Sequence, residues 1–327
     1  MSTPPKRITL DELRKLVRQP VEVFFRSRLG VQFDAVEEVA QAVEPFSLNA
    51  LEKYQIGQDL LDAADVNLAL SHLQMSGKLP MAAFGARAVA ELQREAAVVL
   101  ERRLPLVQRF PHPVPAQSVS LELDGFTIEG TLAGLLSHQA MGAANPSWLQ
   151  LQQRLGKVAE GKDEDLTARV HIVAGLWVNH LAACASGMTV LSVQLGLDDQ
   201  VVFNTLSVQH ALAALKRLLS AYQAAWQRPL PVASKTAWAY LQAQMKNDRA
   251  AADASGREPR EPKDLHEAAG LVFNGAHFKG EVQESAYLAR AFTDYEDIEL
   301  GLPQWAELIY GDMARHVHVG QTTGAGV

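Results

Sequence analysis

Ser118-Val-Ser-Leu-Glu-Leu123, Asp124-Gly125, Phe126-Thr-Ile-Glu-Gly-Thr-Leu132 is the stretch that decides the fold class. Two alternating runs flank an Asp-Gly pair, and Asp-Gly suits the positive-φ positions of a two-residue type I′ turn. In that register Leu123 faces Phe126 and Leu121 faces Ile128, so one face of the hairpin is apolar. Glu122, Thr127 and Glu129 fall on the other. The chain therefore contains antiparallel sheet, and the question becomes what surrounds it.

Upstream, the pattern is helical. Thr9 with Glu12 three residues later has capping-box spacing, and Leu10, Leu13, Leu16 and Val17 recur at helical intervals. Pro20 starts a new turn that carries Val23, Phe24, Phe25 and Leu29 and ends at Gly30. An acidic connector over Asp34–Glu44 precedes helices expected near Leu48–Ala63, Val66–Met75 and Met81–Leu104, the last two separated by Gly77 and Pro80. Pro111, Pro113 and Pro115 mark a loop before the hairpin.

Downstream, Ser147–Arg154 is a strand candidate, and Asp163–Asp165 marks the start of a long apolar helix reaching Ala185 and stopped by Gly187. Strands at Thr189–Leu195 and Gln200–Leu206 follow. Helices over Ser207–Trp226, Thr236–Lys246 and Gln304–Ala314 come next. The order, helices then strands threaded by a helix then helices, predicts an α+β (mixed α/β) fold with a small central sheet. The expected division is an N-terminal helical part (1–104), an α/β core (105–246), a flexible insertion (247–263), C-terminal helices (264–319) and a disordered tail (320–327).

Composition narrows the function. The 327 residues carry a formal net charge of −7, and the acids outnumber the bases, which argues against tight nucleic-acid binding by the chain alone. Arg14, Lys15 and Arg18, then Arg26 and Arg28, form the one local basic stripe, readable as a solvated helix face or as a weak DNA or partner contact. The most apolar run, Val170–Ala185, is broken by His171, Asn179 and His180, so no membrane span is expected. A single cysteine, Cys184, excludes a disulfide framework and fits a reducing cytoplasm. It lies among alanines and reads as a buried, inert thiol.

His171 and His180 are nine residues apart on one helix, hence on opposite sides. His316 and His318 stand near the chain end, where solvent exposure is the expectation. No metal and no cofactor is expected at either pair. Neither a Gly-x-Ser-x-Gly elbow nor a phosphate-binding loop with Gly-Lys-Ser/Thr occurs. Phe24, Phe25, Trp177, Trp226 and Trp238 sit in helical patterns and read as core.

Several stretches together resemble the C-terminal part of the gamma-subunit (RecC) family of bacterial exodeoxyribonuclease V. They begin with Ile8-Thr-Leu-Asp-Glu-Leu13, Pro20, Phe24-Phe25 and Arg28-Leu-Gly-Val31. Glu44-Pro-Phe46, Leu51, Tyr54-Gln55, Gly77-Lys-Leu-Pro80 and Ala83-Phe-Gly85 follow in order. Trp177-Val-Asn-His-Leu181, Cys184-Ala-Ser-Gly187, Tyr222, Pro229-Leu230 and Ala237-Trp238 continue the series. No single motif decides; their colinearity does.

The resemblance implies a degenerate restriction-endonuclease-like (PD-(D/E)xK) core flanked by N- and C-terminal helices. Active modules of that superfamily place an acid on one strand and an Asp/Glu-x-Lys pair on the next, because carboxylates hold Mg²⁺ through hard oxygens and the metal activates water. Here Ala133 stands at the expected Asp, and Gln150 and Gln152 stand near the acid and lysine positions. No Asp or Glu lies between Gly130 and Lys157.

The expectation is a non-catalytic scaffold module of a RecBCD-type helicase–nuclease. Its implied partners are the beta (RecB-like) and alpha (RecD-like) subunits, with DNA met in the context of the complex. The competing readings are a metal-dependent DNA exonuclease with a relocated active site, with Glu129 as its acid, and a stand-alone DNA-binding module using the basic stripe.

Overall fold

The structure, a computed structural model, describes residues 4–33, 49–63, 65–76, 79, 82–140, 146–162, 165–252, 262–276 and 278–320. The connector at 34–44, Gly77, Pro80, residues 253–261 of the expected insertion and the tail beyond Gly320 lie outside the described residues.

Strand β1 (Arg7–Thr9) leads into α1 (Leu10–Arg18) through the anticipated capping box. The Thr9 hydroxyl accepts from Glu12 N at 3.2 Å, and the Glu12 carboxylate accepts from Thr9 N at 2.7 Å. Such a cap is worth about 1 kcal/mol. Pro20 opens α2 (Pro20–Glu22), which runs into a π-helical turn over Val23–Arg28. Then come α3 (Ala50–Asp62), α4 (Val66–Met75) and α5 (Ala82–Arg109).

Helix α5 passes through Pro105, where the sequence suggested a stop at Leu104. Proline removes one backbone hydrogen bond, but Leu106 and Phe110 are buried beyond it. Arg102 pins the same helix to the Gly196 and Asp198 carbonyls at 2.7 Å each. Packing outweighs the local penalty.

The hairpin is β3 (Gln117–Leu123) and β4 (Phe126–Leu132), in the register read from the sequence. Asp124 and Gly125 take φ of 50° and 81°, as the turn requires. Its apolar face receives α1 so closely that a Cβ on Gly130 would stand 2.8 Å from Leu10 side-chain carbons. Strand β1 adds to β4 in parallel, giving the sheet β1-β4-β3.

A second, six-stranded sheet forms the centre. Its strands are β2 (His112–Val114), β5 (Leu135–Ser137), β6 (Ser147–Gln153), β9 (Thr189–Leu195), β10 (Gln200–Phe203) and β11 (Val317–Val319). The order is β11-β10-β9-β6-β5-β2, with β6 and β9 parallel and the other pairs antiparallel.

Strand β2 occupies what read as a proline loop; Pro113 is tolerated there because β2 is an edge. A short ladder of β7 (Ala159–Glu160) and β8 (Thr167–Ala168) precedes α6 (Val170–Ala185). The long helix thus starts later than the expected Asp163–Asp165; residues 163–164 lie outside the described residues. Thr167 and Ala168 satisfy their backbone in the ladder instead of in a helical turn.

Beyond β10 come α7 (Val208–Gln227), capped by Ser207, and α8 (Ser234–Ala252), which runs six residues past the expected end at Lys246. The remainder is α9 (Leu265–Asn274), α10 (Glu281–Glu284), α11 (Ala286–Ala291), α12 (Glu296–Glu299), α13 (Leu302–Ala306), a π-helical turn over Glu307–Gly311, and α14 (Asp312–His316), ending in β11. His316 and His318 therefore close an ordered layer. His316 stacks on Trp177 at 6.5 Å between ring centroids, and His318 pairs with Val202 across the sheet. The exposure expected of the pair holds for His318, whose side chain faces solvent from β11, and fails for His316, which is half-buried against Trp177.

The sheet is covered on both faces. Val190, Val201 and Phe203 pack toward α6 and α7, and Leu149, Leu191, Val193 and Val202 pack toward α3–α5. Strand β9 is buried on both sides, yet it carries Ser192 and Gln194 on its α6 face. The fold is mixed α and β, as expected.

Candidate functional site

The chain leaves the hairpin sheet and enters the central sheet at Ala133-Gly134. Gly134 adopts φ +70°, a left-handed conformation that glycine takes without steric cost. Strand β5 then pairs with β6, Leu135 opposite Gln150. One residue back, a Cβ built on Gly134 would stand 3.7 Å from the Leu151 carbonyl, so the two segments stay adjacent past the last ladder pair. That line brings Ala133 alongside the Gln150–Gln152 part of β6. Ala133 itself is exposed.

Gln150 is 2% exposed and points under α6. Its Oε1 lies 3.4 Å from Ser192 Oγ, and that hydroxyl lies 2.9 Å from His180 Nδ1. His180 Nε2 faces the Asn204 carbonyl at 3.1 Å. A carbonyl only accepts, so Nε2 carries the imidazole proton and Nδ1 accepts from Ser192. That uses the hydroxyl's single proton. The Gln150 amide is then satisfied with its NH2 turned toward Ser192, the assignment the shorter contact favours.

His180 is 0% exposed, and burial first of all lowers its pKa to about 4, so the ring is neutral. Cys184, one turn on, takes an N–H from Leu206 at 3.5 Å, and burial pushes its thiol up to about 11. A thiol held protonated in this way is a poor nucleophile. Gln152 pairs with Gln194 in the β6–β9 register and is half-buried.

Glu129 sits half-buried in β4, opposite Ser120 on one side and Thr9 on the other. Among the described residues no three His, Cys, Asp or Glu side chains converge as a metal site would require. A carboxylate with hydroxyl neighbours can accept hydrogen bonds, but one acid alone does not make a Mg²⁺ cage.

The basic stripe does not act as one surface. Arg14 pairs with Asp11 at 3.1 Å, and Arg26 pairs with Glu22 at 3.3 Å. Arg28 crosses to α7 and donates to the Trp226 and Gln227 carbonyls at 2.9 and 2.7 Å, closing that helix's C-terminal end. No described hydrogen bond or ion pair engages the Lys15 or Arg18 side chains. Both side chains are exposed, and the Arg18 guanidinium reaches across α6 at Gly175.

The comparisons with known proteins can be placed on this geometry. A family model described as RecC C-terminal domain matches residues 5–245, from β1 to within α8. The chain belongs to the RecC C-terminal domain family. It is 29% identical over 246 residues to the RecBCD enzyme subunit RecC of Escherichia coli (strain K12), covering 73% of this chain and 20% of that protein. It is 31% identical over 101 residues to the RecBCD enzyme subunit RecC of Haemophilus influenzae (strain ATCC 51907 / DSM 11121 / KW20 / Rd), covering 30% of this chain and 9% of that protein. The chain thus spans a fifth or less of the length of these RecC relatives.

In this RecC-type domain, the sequence reading missed the Gln150–Ser192–His180 relay. A signal was present: β9 reads as a buried apolar strand interrupted at alternate positions by Ser192 and Gln194, so its polar groups had to find partners inside. Among the described residues no helix is long and apolar enough to cross a membrane.

Proposed function

We propose that this chain is a non-catalytic scaffold module of a RecBCD-type helicase–nuclease, built on a degenerate nuclease-like core. In this reading it supports assembly of the RecB-like and RecD-like subunits, helps to channel DNA strands in the cytoplasm, and meets DNA only in the context of that complex.

The observation that carries the reading is the state of β6. Where a nuclease of the resembled superfamily would hold its metal-binding acid, this chain has Gln150, neutral, enclosed under α6 and engaged with Ser192. Ala133, on the neighbouring segment, offers no ligand. A neutral amide cannot supply the charge that Mg²⁺ and a phosphoryl transition state demand. The position is also closed to a polymer substrate. Membership of the RecC C-terminal domain family supports the rest, since the relatives it matches are described as subunits of a larger enzyme.

The test is to incubate the purified chain with linear double- and single-stranded DNA and Mg²⁺ or Mn²⁺. No metal-dependent cleavage is expected. Cleavage that disappears on Glu129→Gln would replace the scaffold reading with an enzyme whose acid has moved to β4.

A further inference from the structure

A recess of about 200 Å³ opens where α1, α2, the start of α6, the start of α8 and α10 meet. Its ionisable lining is Arg18, Glu22, His171, Lys235, Glu281 and Glu284. Most of these are already spent on one another. Glu281 is half-buried against the start of α8 and accepts from Ser234 Oγ, Lys235 N, Thr236 N and Thr236 Oγ1 at 2.8–3.1 Å. Glu284 is bonded to the Lys235 ammonium, and Glu22 is bonded to Arg26.

What is left over is basic. Arg18 has no hydrogen-bond or ion-pair partner among the described residues, and its guanidinium lies beside Gly175, the residue one turn after His171 on the same face of α6. A Cβ built on Gly175 would stand 3.5 Å from Arg18 Nη2, an ordinary van der Waals contact, so the guanidinium lies directly over this turn of the helix. Pro20, Val21, Val232 and Leu288 add apolar wall to the recess.

We infer that this recess receives a carboxylate side chain, carried between apolar residues of a protein partner, with Arg18 as its counter-ion. The inference rests on the scaffold reading for the identity of that partner as another subunit. The volume corresponds to roughly six or seven waters, room for one acidic side chain and its aliphatic stem. The acids on the walls oppose any anion, and a phosphate dianion about twice as strongly as a carboxylate, so a single negative charge is the better match for the Arg18 guanidinium. Arg and carboxylate can further form a paired, two-bond contact.

The electrostatics at His171 agree. Desolvation lowers its pKa to about 4, and each charge that acts on it, from Lys235, Arg169, Arg154 and Arg18, pushes the same way. An anion arriving in the recess adds the missing opposite charge and raises that pKa, which makes His171 a reporter.

The imidazole resonances of the full chain are followed by NMR while the capped tripeptide acetyl-Leu-Glu-Leu-amide, acetate or inorganic phosphate is added in turn. The inference expects a saturable shift at His171 with tripeptide, at lower concentration than with acetate. Arg18→Gln should weaken it at least tenfold, and Lys15→Gln, a neighbouring exposed position, should leave it unchanged. Tighter binding of phosphate than of tripeptide would overturn the carboxylate assignment. So would the absence of any saturable His171 shift, or a shift that survives Arg18→Gln. A chain that assembles with other subunits but ignores the tripeptide sinks the recess alone. A chain that binds tripeptide through Arg18 yet does not assemble sinks the scaffold reading alone.

Discussion

His180 links the chemistry of one residue to the stability of the whole chain. Its folded pKa of about 4 lies below the 6.5 of an ordinary, solvated imidazole. Between those two values the unfolded chain therefore binds the extra proton, and stability falls as pH drops through that window. The difference corresponds to an upper bound on the order of 3 kcal/mol. His171 works in the same direction, less strongly because its ring is partly solvated. The urea midpoint of the chain should accordingly be lower at pH 4.5 than at pH 7.

His180→Leu should cost about 1–3 kcal/mol at pH 7, because Ser192 and the Asn204 carbonyl lose their partner. It should also flatten the acid side of the profile. An unchanged pH dependence in that variant would mean that His180 is not the group that titrates. At this scale the sequence was informative about types and uninformative about partners. Cys184 reads as buried from its alanine neighbours alone, but nothing in the one-dimensional order places His180 against Ser192 or Gln150, which lie on two different strands. The same holds for Arg28, which looks like part of a basic stripe and instead closes α7.

Among the elements, the hairpin and α1 fit each other through a missing side chain. Gly130 faces Leu10, itself 1% exposed, and Leu10 has no open space to retreat into. Gly130→Val should therefore destabilise by about 1–3 kcal/mol through overpacking. Adding Leu10→Ala should recover part of that loss, as chemical denaturation of the single and double variants can measure. Purely additive losses would mean that the two residues do not press on each other.

The elements that were legible are those whose signals are local: the Asp-Gly turn, the Thr9–Glu12 box, the Ser207 cap and the β9 run. Those that were misread depend on distant partners. β2 exists because β5 offers it an edge. β11 exists because β10 does. α5 survives Pro105 because Arg102, Leu106 and Phe110 hold it to the rest of the fold.

In the whole molecule, the family match stops at residue 245, but the packed core does not. Phe273, Ile298, Leu302, Trp305, Tyr310 and Met313 are buried in the main cluster, and the Tyr310 hydroxyl donates to the Val17 carbonyl at 2.9 Å. Burial of each such side chain is worth about 1.5–3 kcal/mol, so together they reach the 5–15 kcal/mol or so that typically holds a folded protein. A chain ended after Lys246 should show no cooperative thermal or urea transition. A truncated chain that unfolds cooperatively, with native near-UV circular dichroism, would show that the last helices and β11 are dispensable.

The division into helical part, core and C-terminal helices read from the sequence was a division of patterns along the chain. The packing ties these stretches together through α1 against α6, β11 against β10 and Tyr310 against α1. The nuclease-like ancestry expected for the core, and with it the emptied site at Ala133, Gln150 and Gln152, belongs to the proposal.

That proposal is tested most directly by association. Gel filtration with in-line light scattering of this chain, mixed with purified RecB-like and RecD-like subunits from the same source, should give a co-eluting complex of defined stoichiometry that forms without DNA, ATP or metal. Separate elution of the folded chain at micromolar concentrations, with either subunit or with both, would contradict the account.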